Sequence, residues 1–168
     1  MDLKREIIYI DAGKNGNNFK ISIYHLNSNK SHILELQDIK DSNQAEKYAA
    51  YYAILYIKRY EYKNCIILSD SKATLQDKIL LSILKDLHIQ ISWIPREINQ
   101  IADKNCKQAS TLDKCEFNVL KLFVDLSQKA YIQHNTLQEI EKLKKEKEKL
   151  SIKIKNQAEQ INHLRKKG

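Results

Sequence analysis

Apolar runs too short for helices alternate along this chain with longer stretches of helical spacing. Ile7-Ile8-Tyr9-Ile10 is apolar throughout and rich in β-branched side chains, which predicts a central strand. Asp11-Ala12-Gly13-Lys14-Asn15-Gly16 follows with the composition of a turn. Residues 19–24 alternate through Phe19, Ile21 and Ile23, and residues 31–36 carry Ile33, Leu34 and Leu36. With Asn27-Ser28-Asn29-Lys30 between them, these two runs predict an antiparallel hairpin. Asp41-Ser42-Asn43-Gln44 supplies helix-capping residue types. Residues 45–60 then read as a helix, with Tyr48, Tyr52, Leu55 and Tyr56 on one face and Ala45, Ala49 and Ala53 allowing close packing. Cys65-Ile66-Ile67-Leu68 is a second wholly apolar strand, ended by Ser69-Asp70-Ser71. Residues 74–88 read as one helix with Leu75, Ile79, Ile83, Leu84 and Leu87 inward. A last apolar run, residues 89–94, is cut off by Pro95, which cannot donate to a sheet ladder. Ile98, Ile101 and Ala102, followed by Asn105 and Cys106, predict a further helix, and the pattern is helical again from Thr111 through Leu112, Phe117, Leu120, Phe123, Val124 and Leu126. The order predicts an α/β domain over about residues 1–130, a mixed five-stranded sheet flanked by helices.

From about Ile132 the composition changes. Setting position a of a heptad at Ile140 puts Ile140, Leu143, Lys147, Leu150, Ile154, Gln157, Ile161 and Leu164 at a and d, which predicts a basic coiled-coil helix over residues 131–168. A helix exposing its apolar positions here is poorly stable alone, so self-association as a homodimer through residues 132–168 is the expectation, against a solvated single helix. The formal net charge is +8. Residues 132–168 carry most of it, and an excess of this size suggests a polyanionic partner. Cys65, Cys106 and Cys115 form no C-x-x-C pair, which argues against a disulfide framework or zinc site and for a reducing, cytoplasmic setting. The opening apolar run is too short for a signal peptide, and no stretch approaches the roughly 20 apolar residues of a membrane helix.

Four acids stand where chemistry can collect. Asp11 and Asp70 end apolar strands, and Glu46 and Asp103 lie at helix starts. Taken singly, each is an ordinary turn or helix-dipole acid. Brought together they would repel, and a fold tolerates such a cluster best when cations bind it. Carboxylate and water ligands suit Mg²⁺ or Mn²⁺.

Four stretches resemble the ribonuclease H family in its cellular type 1 form. They are the strand-end Asp11, Ser42-Asn43-Gln44-Ala45-Glu46, Leu68-Ser69-Asp70-Ser71 and, most specifically, Trp93-Ile94-Pro95-Arg96-Glu97-Ile98-Asn99-Gln100-Ile101-Ala102-Asp103. The likeness spans about residues 6–110 and leaves the tail without a counterpart. It implies an endonuclease that hydrolyses the RNA strand of RNA–DNA hybrids with two Mg²⁺ ions, Mn²⁺ being a substitute. Asp11 would bridge both ions, Glu46 and Asp70 would complete the one on the leaving-group side, and Asp103 the one that activates water. Asn43 and Asn99 match positions that touch substrate sugar or backbone, and the 2′-hydroxyl distinguishes RNA from DNA. Ala12 stands where the family often has Gly, residues 71–90 leave no room for a basic handle, and no His lies between Trp93 and Asp103. Two rivals keep the fold: a catalytically weak nucleic-acid-binding or scaffold module that assembles through its coiled coil, and a nuclease acting on DNA.

Overall fold

The computed structural model describes residues 4–107 and 114–165. They belong to two compact units, Met1–Ser127 and Gln128–Gly168. The first holds a five-stranded sheet of β1 (Glu6–Asn15), β2 (Asn18–His25), β3 (Lys30–Leu36), β4 (Cys65–Ser69) and β5 (Gln90–Trp93) in the order β3-β2-β1-β4-β5. β1, β2 and β3 run antiparallel, while β4 pairs parallel with both β1 and β5. The sheet is therefore mixed, and α1 (Ser42–Arg59) carries the chain across it from β3 to β4. Ile8, Ile10, Ile21, Ile23, Leu34 and Leu36 are buried with Ala45, Ala49 and Ala53 of α1, whose small side chains let the helix lie close.

β1 is longer than its apolar run. Residues 11–15, which have the composition of a turn, continue the strand and pair with β2 from Asp11↔Ser22 to Asn15↔Asn18. The parallel partner gives out earlier, at Ile10↔Ser69. The turn itself is Gly16 and Asn17, with Gly16 at φ +64° as two-residue hairpin turns favour.

The helix expected over residues 74–88 is broken into α2 (Lys72–Leu75) and α3 (Lys78–Asp86). Asp77 causes the break: its carboxylate accepts from the Leu80 amide at 2.9 Å as the N-cap of α3 and pairs with Lys47 at 2.9 Å. Restarting the helix there turns Leu80 and Leu84 into the core. In α4 (Gln100–Cys106) the expected face is also displaced. Ile98 and Ile101 are 59% and 49% exposed, and Asn99, Ala102, Asn105 and Cys106 take the interior. Close approach explains this: a Cβ on Gly13 of β1 would stand 3.0 Å from Cys106 Cβ, so small side chains face the sheet.

Thr111 and Leu112 lie outside the described residues. α5 (Lys114–Arg165) belongs to the first unit up to Ser127, where Phe117, Leu120 and Val124 complete the core. From Gln128 it forms the second unit, a helix as expected for the tail. Among the described residues no helix is long and apolar enough to cross a membrane.

The break at Asp77 makes a checkable difference between neighbours. Leu80→Ala is expected to cost about 2–5 kcal/mol, and Leu81→Ala, at an exposed site, about 1 kcal/mol or less. Chemical denaturation of the two variants measures both.

Candidate active site

Asp11 sits on β1 one residue beyond its last pairing with β4, and Asp70 follows the end of β4 directly. The parallel register thus sets two carboxylates side by side at the carboxyl end of the strands, where sites in α/β sheets form. Asp41 starts α1 by accepting from the Gln44 amide at 2.8 Å. That start places Glu46 beyond the first turn, so it is not an acid serving the helix dipole. Ligand oxygens of Asp11, Glu46 and Asp70 all lie within 4.8 Å of one another.

The cluster is electrostatically unfavourable by itself. Burial and then the charge of Asp70 push the Asp11 carboxyl up to about 7. Burial, then Asp11 and Asp70, push Glu46 up to about 9. The Ala12 amide and Arg96 offset only part of this. Glu46 Oε2 is buried and has no hydrogen-bond partner. Three oxygen donors, excess negative charge and a buried acceptor without a donor fit a hard divalent cation. Asn43, Ser71, Lys72, Trp93 and Arg96 help line the cleft of about 390 Å³ that holds the three acids. A larger hollow of about 520 Å³ lies elsewhere, among Tyr62, Asn64, Leu87 and His88, and includes no carboxylate cluster.

Asp103 is in the first turn of α4 but outside this trio. Lys107 reaches its Oδ2 at 2.6 Å and Arg96 its Oδ1 at 3.3 Å. The lysine first, and Arg96 after it, hold the Asp103 carboxyl below its usual range against some burial. Asn43 is exposed on the cleft wall. Asn99 is fully buried: its amide donates to the Ile10 carbonyl at 2.8 Å, and its own oxygen has no partner. It ties the start of α4 to the residue before Asp11.

Two contacts were not anticipated from residue types alone. The Trp93 indole N–H donates to the Asp70 carbonyl at 3.1 Å, and Lys72 lies over the Trp93 ring at 6.0 Å. The Asp103–Lys107 pair had a signal, the four-residue spacing that sets opposite charges together on a helix.

Strand order, strand directions and the acids at the end of the parallel strands agree with the motif resemblance. The first unit has a ribonuclease H-like fold, a mixed five-stranded sheet flanked by helices. No protein-family model matches the chain, and no curated protein matches it. Among solved structures it is similar to RNase H1 from the halophilic archaeon Halobacterium salinarum, with 18% identity and a TM-score of 0.48 over 61% of this chain and 94% of that one. It is similar to LC11-RNase H1 in complex with an RNA/DNA hybrid, at 20% identity and a TM-score of 0.46 over 60% and 92%. A third similar structure is the N-terminal RNase H domain of rv2228c from Mycobacterium tuberculosis, at 15% identity and a TM-score of 0.46 over 70% and 96%.

Raised carboxyls make the metal-free domain sensitive to pH in a defined direction. An unfolded carboxyl loses its proton near about 4, whereas folded Asp11 keeps it to about 7 and Glu46 to about 9. The folded state binds more protons across that window, so these groups lower stability as pH rises through it. In EDTA, Glu46→Gln is expected to match the parent at about pH 4 and to exceed it in thermal midpoint by a growing margin up to about pH 9. Adding a divalent cation at high pH should narrow the gap by stabilising the parent more than the variant, which has lost one of three carboxylate ligands.

Proposed function

We propose that this protein is a metal-dependent endonuclease that hydrolyses the RNA strand of RNA–DNA hybrids. The observation that carries the reading is the convergence of Asp11, Glu46 and Asp70 around a buried, unpartnered carboxylate oxygen, beside the Trp93-to-Asp103 stretch. Two Mg²⁺ ions, with Mn²⁺ as a substitute, would supply an activated water and stabilise the leaving oxygen of an in-line displacement.

The chain's own residues would hold and orient. Asp11, Glu46 and Asp70 would bind the ions, and Asp103 would join them by exchanging its pairs with Lys107 and Arg96 for metal. Trp93 restrains Asp70 through its backbone carbonyl. Asn99 acts from inside, fixing the strand before Asp11, a positioning part in place of the direct substrate contact its motif position implies. Asn43, exposed in the cleft, is the better candidate to meet substrate sugar or backbone. Arg96 is exposed and can meet a phosphate. The net charge of +8 favours the hybrid's phosphates as partner. The three free cysteines, two of them buried, support a reducing, cytoplasmic setting.

The ion pairs on Asp103 favour one second reading, a domain that binds hybrid and turns it over poorly or not at all. Binding and cleavage of labelled hybrid, duplex RNA and duplex DNA, with Mg²⁺, Mn²⁺ or EDTA, separate the two. Cleavage of hybrid RNA alone, abolished by EDTA, is expected. Asp70→Asn should lower the rate about a thousandfold, or ~4 kcal/mol, because an amide is a poor ligand for a cation. Cleavage within tenfold of the parent would remove Asp70 from the site. Tight hybrid binding without cleavage in either metal would establish the second reading.

A further inference from the structure

The second unit buries almost nothing. Ile140, Leu143, Leu150, Ile154, Ile161 and Leu164 are 43–70% exposed on a helix with no partner in its own unit. Where these residues recur at a and d, their types are sorted. Every apolar a position is isoleucine (Ile140, Ile154, Ile161) and every apolar d position is leucine (Leu143, Leu150, Leu164). A β-branched residue at a with leucine at d is the pattern that favours two parallel strands over three or four.

The flanking positions choose the partner. In a parallel, in-register pair each g position meets the e position five residues on in the other chain. Those pairs would be Ile132 with Leu137, Glu139 with Lys144, Glu146 with Ser151, Lys153 with Ala158 and Gln160 with Arg165. One is attractive, one is apolar and none sets like charges together. The apolar pair flanks Gln133 and Thr136, where the seam itself is polar. An antiparallel pair would set e against e and g against g, losing both the Glu139–Lys144 and the Ile132–Leu137 pairing. The complement of this face is therefore its own sequence, aligned with itself.

We propose that residues 132–168 pair with the same residues of a second copy of this chain as a parallel, in-register, two-stranded coiled coil. Lys147 at a and Gln157 at d weaken it and fix register. The excess of lysine on residues 132–168 repels across the pair, so association strengthens with added salt.

Sedimentation equilibrium of the full chain at tens of micromolar in high salt is expected to give the mass of two chains. Leu150→Asp with Ile154→Asp should give one chain, with the domain's thermal midpoint unchanged, since both side chains are exposed. Leu143→Cys, made with Cys115→Ser to remove the exposed native thiol, should cross-link to a covalent dimer on mild oxidation. A single-chain mass for the parent, a mass of three or more chains, or a dimer indifferent to the Leu150 and Ile154 changes would overturn the proposal. Failure to cross-link in a dimer would overturn the parallel alignment.

Discussion

Mutual repulsion among three carboxylates is the constraint on which the first unit turns. Asp11, Glu46 and Asp70 bring oxygens within 4.8 Å of one another where water screens poorly. A fold left to minimise its own energy would separate them. The surroundings do not permit it. Asp11 is fixed by pairing with β2, Asp70 by the end of β4, and Glu46 by a helix whose start is set by the Asp41 cap. Each acid is held by an element that is stable for other reasons, so the repulsion is imposed by the scaffold and available to a ligand that relieves it.

The connection from β5 to α4 does the closing. Trp93 binds the Asp70 carbonyl at one end of it, and Asn99 binds the Ile10 carbonyl at the other. Between them stands Pro95, which ends the strand and frees Arg96 to meet Asp103. Asn99 keeps an unpartnered buried oxygen, an arrangement that costs on the order of 1–3 kcal/mol. That a short helix retains it argues that the link to the segment before Asp11 matters more than local stability. Gly13 serves the same junction, since a Cβ there would stand 3.0 Å from Cys106 Cβ and Cys106 would have to give way locally.

The sheet and α1 were legible because their signals are local. Five short apolar runs became five strands, and the capping residues before Ala45 marked a helix start. The three clustered acids were legible for the same reason, as each stands next to an apolar run or a cap. What escaped depends on partners distant in sequence. Residues 11–15 read as a turn because their composition is polar, yet β2 pairs with them. Asp77 reads as one polar position in a helix until Lys47 is found beside it. Ile98 and Ile101 look like a core face, but the room beside Gly13 admits only small residues. Asp103 matched its motif position in sequence, and of the two cations that occupy its carboxylate Lys107 was signalled by helical spacing while Arg96 shows only in the structure.

Salt acts in opposite senses on the two interactions proposed for this chain, and the sign separates them. Phosphate contacts release condensed ions and weaken as salt rises. Pairing of two lysine-rich helices is opposed by their own charge and strengthens as salt screens it. Where lysines of the tail meet nucleic acid, the phosphates do what added salt does and neutralise the charge that holds two helices apart. Binding of a polyanion and pairing of α5 then favour each other, and by reciprocity a paired chain presents a denser array of cations to the next phosphate. If α5 pairs as proposed, its basic charge would keep isolated chains weakly associated and leave the seam ready to close on a charged template.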